Sequence, residues 1–339
     1  MNEDRPIYKI AIVAPVHIQP SKEWVQSLQS ISSGKSNVKV IIVDDSNGKV
    51  ELPADFDVYD YKRQEEELGE AYPFFERFHK SSSCKNFGHW LAWRDKYDIV
   101  MGIDSDCIVP PNFIGQHIEA LIKRSYGWTN PIRRTGWFSR GYPYAQRDLR
   151  TALSLGLWSK ELDLYGSDRV NDPHRDTSDP IIRDEHEVAD GFLPLSGMNW
   201  ACWADVIPAL LFLPNIEIQR GEVVDKIRRH DDIWGGYIFQ KIMCLRNERI
   251  VYGMPIVTHD TVVDAQSDAD EEVGMIGWEH AFYTQVDQLF GGNDIEWGMY
   301  EDIMETIADK ASKAWAGTEW QPFAEALEYW HQLFINTTR

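Results

Sequence analysis

Two aspartates with one serine between them, Asp104 and Asp106, directly follow the apolar segment Asp98–Ile103. Carboxylates with this spacing in a turn can both face one hard cation, Mg²⁺ or Mn²⁺, whose remaining positions accept the oxygens of a diphosphate. The alternative is a turn whose carboxylates accept hydrogen bonds from backbone N–H groups. Because the pair ends a predicted buried strand, the sequence favours the metal–diphosphate site.

A second acidic pair, Asp44 and Asp45, ends an earlier apolar run, Val38–Val43. A carboxylate here could accept hydrogen bonds from the base or the ribose of a nucleotide, and capping of the turn is an equally good interpretation. His259 ends another short apolar run. A neutral imidazole there could complete the metal shell of the first pair, although a histidine next to an aspartate is more often a surface residue.

Two arginines and a third acidic pair are further candidates. Arg140 and Arg147 are seven positions apart, about two turns of a helix, so both could lie on one side of a helix and bind phosphate oxygens. Asp231 and Asp232 in a predicted helix could hydrogen-bond sugar hydroxyls, and Trp234 could stack on a pyranose face. The simpler interpretations are surface arginines that balance the acidic excess and ordinary acids at a helix N-terminus.

The elements that would position these groups alternate between strand and helix. Buried strands are predicted at Ile10–Val16, Val38–Val43 and Asp98–Ile103, and helices at Lys22–Ile31 and Lys85–Arg94. Such alternation implies an α/β fold with a parallel sheet and right-handed crossovers, in which ligands bind at the carboxyl ends of the strands. The first two aspartate pairs fall at such ends.

Composition excludes several classes of protein. The 339 residues carry a formal net charge of −20, which argues against a nucleic-acid binder and against docking on anionic lipid. The four cysteines form no CxxC pair, so a reducing compartment is expected. The longest apolar stretch, Val206–Leu213, is interrupted by Pro208 and is too short to span a bilayer. We expect a soluble, cytoplasmic protein without nucleic-acid or membrane partners.

Three regions follow a different pattern from the strand–helix alternation. Residues 160–191 are predicted to form a long surface loop or lid, and the acidic stretch Asp264–Glu272 another loop. Two amphipathic helices are predicted between Tyr300 and Ile335, with an aromatic stripe more typical of core packing, although a homo-oligomer contact stays open. We expect a catalytic domain at residues 1–262 and a C-terminal helical extension, residues 263–339, packed on it.

Seven motifs between Ile10 and His259 resemble, in order, those of the reversibly glycosylated polypeptides, also known as UDP-arabinopyranose mutases (glycosyltransferase family 75). Seven ordered matches are far more specific than one DxD pattern. The motifs are SSSCKNFGHW (Ser81–Trp90), IDSDC (Ile103–Cys107), RGYPYAQR (Arg140–Arg147), TALSLGLW (Thr151–Trp158), LSGMNWA (Leu195–Ala201), RHDDIWGG (Arg229–Gly236) and YGMPIVTH (Tyr252–His259).

The resemblance implies a GT-A-like nucleotide-sugar-binding domain with a mostly parallel central sheet flanked by helices, plus C-terminal helices. It implies a divalent metal, Mn²⁺ or Mg²⁺, no flavin, and interconversion of the pyranose and furanose forms of a UDP- or GDP-sugar, often with self-glycosylation. Motif by motif, it implies metal ligands Asp104, Asp106 and His259, catalytic residues Arg140, Arg147, Asp231 and Asp232, and substrate-binding Asn199. Pro15, Asp44, Asp45 and Trp234 complete the predicted substrate site.

The sequence departs from the family pattern at several positions. Ser105 replaces the middle acid of an aspartate triplet, and Leu155 and Ser196 replace a histidine and a cysteine. The segment Val43–Ser46 replaces the usual VQDG next to the predicted base pocket. This last change leaves a UDP-sugar and a GDP-sugar as alternative substrates.

Two other functions fit the same motifs. A glycosyltransferase would deliver the sugar to a separate acceptor and release nucleoside diphosphate, whereas a mutase conserves its donor. A self-glycosylated scaffold protein would bind nucleotide sugar and metal without exchanging isomers. Because arginine stays protonated in proteins, Arg140 is a poor nucleophile. We expect it to contact the diphosphate or the anomeric region, with glycosylation there an intermediate or a side product.

Overall fold

A computed structural model describes residues 7–128, 130, 132, 137–174, 186–189, 191–227, 229–262, 264–292, 295 and 298–338. The strands are β1 (Ile10–Val16), β2 (Val38–Asp44), β3 (Asp57–Tyr59), β4 (Ile99–Ile103), β5 (Cys107–Ile108), β6 (Thr151–Ser159), β7 (His186–Val188), β8 (Asn199–Trp203), β9 (Glu217–Arg220), β10 (Val223–Lys226) and β11 (Arg249–His259). The helices are α1 (Lys22–Ser32), α2 (Tyr61–Leu68), α3 (Tyr72–Phe75), α4 (Asn86–Arg94), α5 (Phe113–Ile122), α6 (Gly166–Asn171), α7 (Asp231–Leu245), α8 (Ala265–Ile276), α9 (Glu279–Leu289), α10 (Tyr300–Ala314) and α11 (Gln321–Thr338). Short 3₁₀ helices lie at Gly69–Ala71, Glu76–Phe78, Ser82–Lys85, Tyr144–Gln146 and Ala204–Ala209.

Among the described residues, nine strands form one sheet in the order β3-β2-β1-β4-β8-β6-β11-β5, with β7 paired to β11. Strands β1 to β4 run parallel, and β6 is parallel to β11. Because β8 is antiparallel to both β4 and β6, strands β1 to β4, β6 and β11 all point in one direction. The predicted α/β class with a mostly parallel sheet flanked by helices is confirmed.

The central strand β1 is apolar along its whole length because both of its faces are covered. Ile10 and Ile12 point into a core formed with α1 and α5, where Trp24 is fully buried. Ala11 and Val13 point to the opposite side, into a larger core shared with α4 and the C-terminal helices. Side chains alternate across a strand, so a strand between two helical layers needs apolar residues at every position.

The acidic stretch predicted to be a loop is instead the helix α8, so that prediction is wrong. The Asp264 carboxylate caps the helix by accepting a hydrogen bond from the backbone N–H of Ser267 at 3.1 Å. Met275 and Glu272 are buried, Asp270 and Glu271 are exposed, and Asp268 forms an ion pair with Arg229. A capping aspartate and acids in the first turn favour a helix start, and this local signal outweighs the polar composition.

The region predicted to be a lid contains the helix α6 and the strand β7, and its residues 175–185 and 190 lie outside the described part of the chain. Its first residues are attached to the body of the protein. Lys160 forms an ion pair with Asp260, and the backbone N–H of Gly166 donates to the Glu272 carboxylate at 2.8 Å. Residues 160–166 therefore form an anchored strap rather than a free loop.

The two predicted C-terminal helices are present as α10 and α11. They pack on the 3₁₀ helix Ala204–Ala209, and the Trp330 indole donates to the Pro208 carbonyl oxygen at 3.0 Å. The Trp90 indole of α4 donates to the Thr337 hydroxyl at 3.1 Å. Within the described residues, no helix combines the length and apolarity required to cross a bilayer.

Candidate active site

The strand ends bring the candidate metal residues together. The turn after β4 leads directly into β5, which pairs antiparallel with the end of β11 and places Cys107 opposite His259. The backbone N–H of Asp260 then donates to the Asp106 carbonyl oxygen at 2.8 Å. Residues that are more than 150 positions apart in the sequence thus meet at one edge of the sheet.

Asp106 and His259 face each other across this edge. Oδ2 of Asp106 lies 3.4 Å from Nε2 of His259, and Nδ1 of the imidazole lies 2.8 Å from the Glu161 carbonyl oxygen. Burial disfavours the charged imidazole, but the hydrogen bond and charge of Asp106 outweigh burial, and the pKa of His259 is raised. Burial would also raise the pKa of Asp106, but His259 holds it below its ordinary value.

This pair fits a divalent cation. A proton on Nδ1 satisfies the Glu161 carbonyl and leaves the Nε2 lone pair directed at the carboxylate, which is the usual arrangement around metal-binding histidines. The sulfur of Cys107 also lies within 4.8 Å of both ligand atoms. Burial raises the pKa of the Cys107 thiol well above its ordinary value, which disfavours the thiolate as a ligand. Asp106 supplies the hard oxygen donor that Mn²⁺ or Mg²⁺ prefers, and His259 supplies a borderline nitrogen donor.

Asp104 has a different partner. Its Oδ1 atom lies 2.5 Å from Nζ of Lys85, whose side chain is 1% exposed against 21% for Asp104. The Lys85 ammonium also donates to the Gly197 carbonyl oxygen at 3.1 Å. The structure therefore brings together two of the three predicted metal ligands, Asp106 and His259, and pairs the third with a lysine.

The acidic pair Asp231 and Asp232 begins α7, and both carboxyl groups act electrostatically on this lysine. Asp231 accepts a hydrogen bond from the Ser82 hydroxyl at 2.6 Å, and Asp232 accepts one from the backbone N–H of Gly197 at 2.7 Å. Burial raises the pKa of Asp231 to about 6. Burial and the neighbouring charge of Asp231 raise the pKa of Asp232 well above its ordinary value. Carboxyl groups in this state can both hold and accept protons near neutral pH.

Of the strand-end residues near β2, Asp44 caps a turn. Its carboxylate accepts hydrogen bonds from the backbone N–H groups of Ser46 at 2.9 Å and Gly48 at 2.8 Å, and also from the Ser46 hydroxyl. Pro15 lies within β1, paired with Val43 of β2, and its side chain is buried. This geometry matches the capping interpretation of Asp44.

Asp45 points the other way, into a polar cluster at the ends of β1 and β2. Its carboxylate accepts from the Tyr61 hydroxyl at 2.8 Å and lies 2.8 Å from Nδ1 of His17. The sulfur of Cys84 lies within 4.8 Å of the facing atoms of Asp45 and His17. His17 is 38% exposed, so this cluster is open to a ligand on the His17 side.

Asn199 is fully buried beneath the site. Its amide nitrogen donates to the carbonyl oxygens of Leu157 at 2.8 Å and Pro255 at 3.0 Å. Its amide oxygen lies 3.0 Å from Nε2 of His117. The structure places the amide of Asn199 between β6 and β11, where it joins the two strands.

Trp234 also lies in the interior. Its ring stacks on Phe282 of α9 with the centroids 4.2 Å apart and an interplanar angle of 12°. Phe323 of α11 packs beside the stack at 5.8 Å. The indole of Trp234 is completely buried, so the structure places it in the packing interface between α7 and the C-terminal helices.

Arg140 and Arg147 do not share a helix, so that expectation is wrong. Gly141 has a φ of 95° and Pro143 precedes only the short 3₁₀ helix Tyr144–Gln146. Glycine with positive φ and proline both interrupt an α-helix. Arg140 is exposed on the resulting loop.

Arg147 is held against aromatic rings on the same loop. Its guanidinium lies 3.7 Å from the ring centroid of Tyr144 and 4.7 Å from that of Phe138. One terminal nitrogen donates to the Tyr142 carbonyl oxygen at 3.0 Å. Guanidinium groups stack readily on aromatic faces, so these rings fix the direction of Arg147.

Sequence reasoning missed four residues of this region: Lys85, Ser82, His17 and Asp163. Lys85 and Ser82 lie inside the SSSCKNFGHW motif, where a lysine at the start of an apolar helix is the available signal. Asp163 lies on the strap, and its charge is one of the smaller contributions to the raised pKa values of Asp232 and His259. His17 has no comparable signal, because it follows β1 as one polar residue in a loop.

Comparisons with known proteins agree with the motif analysis. The family model described as reversibly glycosylated polypeptide matches residues 12–337. UDP-arabinopyranose mutase 1 of Oryza sativa subsp. japonica is 30% identical over 217 residues, which are 59% of this chain and 56% of the rice protein. UDP-arabinopyranose mutase 2 of Arabidopsis thaliana is 28% identical over 217 residues, 59% of this chain and 57% of that protein. The alignments thus span little more than half the length of these relatives.

Among solved structures, the mannosyltransferase PcManGT from Pyrobaculum calidifontis in complex with GDP-Man and Mn²⁺ is similar with a TM-score of 0.38. It is 8% identical, and the match covers 98% of this chain and 87% of the mannosyltransferase. The family model covers nearly the whole chain, from the middle of β1 to the last helix. The chain therefore belongs to the reversibly glycosylated polypeptide family.

Proposed function

We propose that this protein is a nucleotide-sugar mutase, an isomerase that interconverts the pyranose and furanose forms of a nucleoside-diphosphate sugar. Its family membership supports this proposal, as do the relatives named UDP-arabinopyranose mutase. The geometry supports it because Asp106 faces His259 at the edge of the sheet, while the buried Lys85 contacts Asp104 and, through Gly197, connects to Asp232.

The reaction has a simple balance of electrons and protons. The bond between the anomeric carbon and the diphosphate breaks, and its electron pair leaves on the diphosphate oxygen. The 4-hydroxyl oxygen then bonds to the anomeric carbon, the bond between that carbon and the original ring oxygen breaks with its electron pair left on the oxygen, and the diphosphate returns to the anomeric carbon. The 4-hydroxyl loses one proton and the released ring oxygen gains one, so the reaction consumes no net proton and needs no net oxidant or reductant.

At the diphosphate end, Asp106 and His259 would hold the divalent cation, Mn²⁺ or Mg²⁺, with Asp104 beside them. When bound, such a cation neutralises the negative charge that develops on the leaving diphosphate. Arg140 and Arg147 enter the proposal from the family motif. Their guanidinium groups would bind diphosphate oxygens or the anomeric region.

At the sugar end, Asp231 and Asp232 would exchange the proton. A general base takes the proton from the 4-hydroxyl, and a general acid returns one to the former ring oxygen. Two adjacent carboxyl groups whose pKa values are raised by burial suit both roles, because one can stay protonated while the other is ionised.

At the base end, the cluster of His17, Asp45 and Tyr61 would face the nucleotide. The Asp45 carboxylate already has its orientation fixed by Tyr61, and the exposed His17 offers a ring nitrogen to the base or the ribose. We propose this cluster as the determinant of the choice between a UDP-sugar and a GDP-sugar.

The observation that carries the proposal is the joint position of Asp104 and Asp232 around Lys85: the lysine ammonium contacts Asp104 and the Gly197 carbonyl oxygen, and the N–H of Gly197 donates to Asp232. In the proposal, Asp104 lies beside the metal pair and Asp232 faces the sugar. The test is to incubate the protein with Mn²⁺ and a panel of UDP- and GDP-pyranoses, then to separate the products by chromatography. A mutase yields the furanose isomer of one donor and conserves the nucleoside diphosphate in it.

Other products would contradict the proposal in distinct ways. Stoichiometric release of free nucleoside diphosphate with transfer to an acceptor would indicate a glycosyltransferase. Binding of the nucleotide sugar, with or without one round of self-glycosylation and with no furanose product, would indicate a binding or scaffold protein. A repeat with EDTA in place of Mn²⁺ tests the metal requirement.

A further inference from the structure

Lys85 is an internal lysine. Its side chain is essentially inaccessible to water, and it lies where the 3₁₀ helix Ser82–Lys85 joins α4. An ammonium group loses its hydration in such a place, so it is retained only where charged and polar partners replace the water.

Those partners belong to two different parts of the site. Nζ lies 2.5 Å from Oδ1 of Asp104, which ends β4, and 3.1 Å from the carbonyl oxygen of Gly197. The N–H of the same glycine donates to Oδ2 of Asp232 at 2.7 Å. The Lys85 ammonium and Gly197 thus connect Asp104, at the end of β4, to Asp232, in the first turn of α7.

The absence of a side chain at Gly197 lets Lys85 and Asp232 both approach its backbone. A Cβ atom at this position would lie 2.8 Å from Nζ of Lys85 and 3.3 Å from Oδ2 of Asp232. Any side chain would therefore push the lysine or the aspartate away. The aromatic face of Phe212 lies 5.5 Å from Nζ and closes the remaining side.

Several carboxyl groups surround the single Lys85 ammonium. Asp104, Asp231 and Asp232 all act on the Lys85 ammonium, and together they outweigh the effect of burial and raise its pKa. Lys85 is therefore a fixed positive charge next to Asp104, and its charge also reaches Cys107 beside the candidate metal pair.

We propose that Lys85 is a positioning residue of the mutase site, which holds Asp104 directly and Asp232 through Gly197, and whose positive charge acts on a divalent cation bound at Asp106 and His259. This inference rests on the proposed function. A cation that enters beside Asp104 is repelled by the ammonium, so Lys85 lowers the affinity for metal while it keeps the two acids in place for turnover.

The test uses the full-length protein with Lys85→Met, Lys85→Arg and Asn86→Ala. Asn86 is the matched control because it is the next residue, is fully buried, and its side-chain amide pairs with the backbone of Phe212, at 2.6 and 3.1 Å. Three quantities are measured for each variant: the affinity for Mn²⁺ alone by electron paramagnetic resonance, the melting temperature, and kcat and KM with UDP-arabinopyranose and, separately, a GDP-pyranose.

We expect Lys85→Met to raise the affinity for Mn²⁺ and to lower kcat. Lys85→Met binds Mn²⁺ about tenfold more tightly because one nearby positive charge is removed. Its kcat falls about a hundredfold, with KM within about threefold of wild type. Lys85→Arg keeps the charge and retains wild-type Mn²⁺ affinity. Its kcat is about tenfold higher than that of Lys85→Met. Asn86→Ala melts at a lower temperature with Mn²⁺ affinity unchanged.

A purely structural lysine would give a different pattern. If Lys85→Met binds Mn²⁺ no more tightly than wild type, or loses activity only in proportion to stability as Asn86→Ala does, the proposal is wrong. If Lys85→Met does not fold, Lys85→Gln is measured instead with the same two criteria. If the wild-type protein exchanges no sugar isomers, the proposed function fails, while the Mn²⁺ titrations still decide the role of Lys85.

Discussion

Nε2 of His259 lies 3.4 Å from Oδ2 of Asp106, while Nδ1 of the same ring lies 2.8 Å from the carbonyl oxygen of Glu161. The two nitrogens of one imidazole therefore connect the strap that follows β6 to the turn that follows β4. A histidine fixed in this way presents one nitrogen to a ligand with its ring orientation already set.

This geometry predicts that His259→Ala lowers the affinity for Mn²⁺ by about a hundredfold, because one of two facing donors is lost. Titration of the protein with Mn²⁺, followed by electron paramagnetic resonance, measures the effect. His280→Ala, a change at an exposed histidine of α9, should leave the affinity unchanged. Equal affinities for wild type and His259→Ala would show that the cation binds elsewhere.

Arg140 is exposed, so its replacement should affect turnover without affecting stability. Arg140→Lys should reduce pyranose–furanose exchange, followed by NMR, about tenfold, because lysine keeps the charge but loses bidentate contact with phosphate oxygens. The melting temperature should not change. Arg124→Lys, at a surface ion pair with Asp148, is the control, and unchanged exchange in Arg140→Lys would remove this arginine from the chemistry.

Trp234 should matter for stability and not for sugar binding. Trp234→Phe should lower the free energy of unfolding by roughly 1–3 kcal/mol, because a smaller ring leaves space beside Phe282 and Phe323. Urea denaturation measures this loss, and KM for the nucleotide sugar should stay at the wild-type value. A raised KM with unchanged stability would instead support a role for Trp234 as a sugar platform.

Asp231 should make the folded state less stable as the pH rises. Burial raises its pKa to about 6 in the folded protein, against an ordinary value of 3.8. The folded state therefore binds the proton more strongly, and this stabilisation, present below pH 4, is lost as the pH rises through 6. Asp232, Asp104 and Lys85 face the same carboxyl group, so the transition belongs to a coupled cluster.

Asp231→Asn removes this titration and keeps an oxygen for the Ser82 hydroxyl. Between pH 4 and pH 8, wild type should lose on the order of 2–3 kcal/mol of unfolding free energy relative to Asp231→Asn. Urea denaturation at several pH values measures the difference. The exposed Asp309→Asn should show no such difference, and parallel pH curves for wild type and Asp231→Asn would contradict the raised pKa.

The strands and the strand-end acids could be predicted from the sequence because the signals are local. An unbroken apolar run such as β1 indicates a strand covered on both faces, and acids such as Asp45 and Asp104 follow from where the runs end. The pairing of β5 with β11, which brings His259 to Asp106, is a long-range contact that no local pattern encodes. The end of an apolar run and the family resemblance both made His259 a candidate, and the structure shows which of the two aspartates it faces.

The remaining features depend on tertiary contacts. The partner of Asp104 is Lys85, and nothing in the spacing of these residues predicts that a lysine at the start of α4 reaches the end of β4. The interior position of Trp234 depends on the C-terminal helices, which supply Phe282. The spacing of Arg140 and Arg147 is compatible with one face of a helix, but Gly141 and Pro143 between them favour the loop that the structure shows.

The carboxylate of Glu272 has a consequence for protein engineering. It accepts hydrogen bonds from Gly166 on the strap and from the Arg229 side chain at 2.8 Å, two residues before Asp231. A chain shortened after residue 262 would lose this carboxylate together with the aromatic partners of Trp234. The strap and the segment that precedes α7 would then each lose a contact at once, so the first 262 residues grafted alone onto another scaffold would keep the sequence motifs without this support for the site.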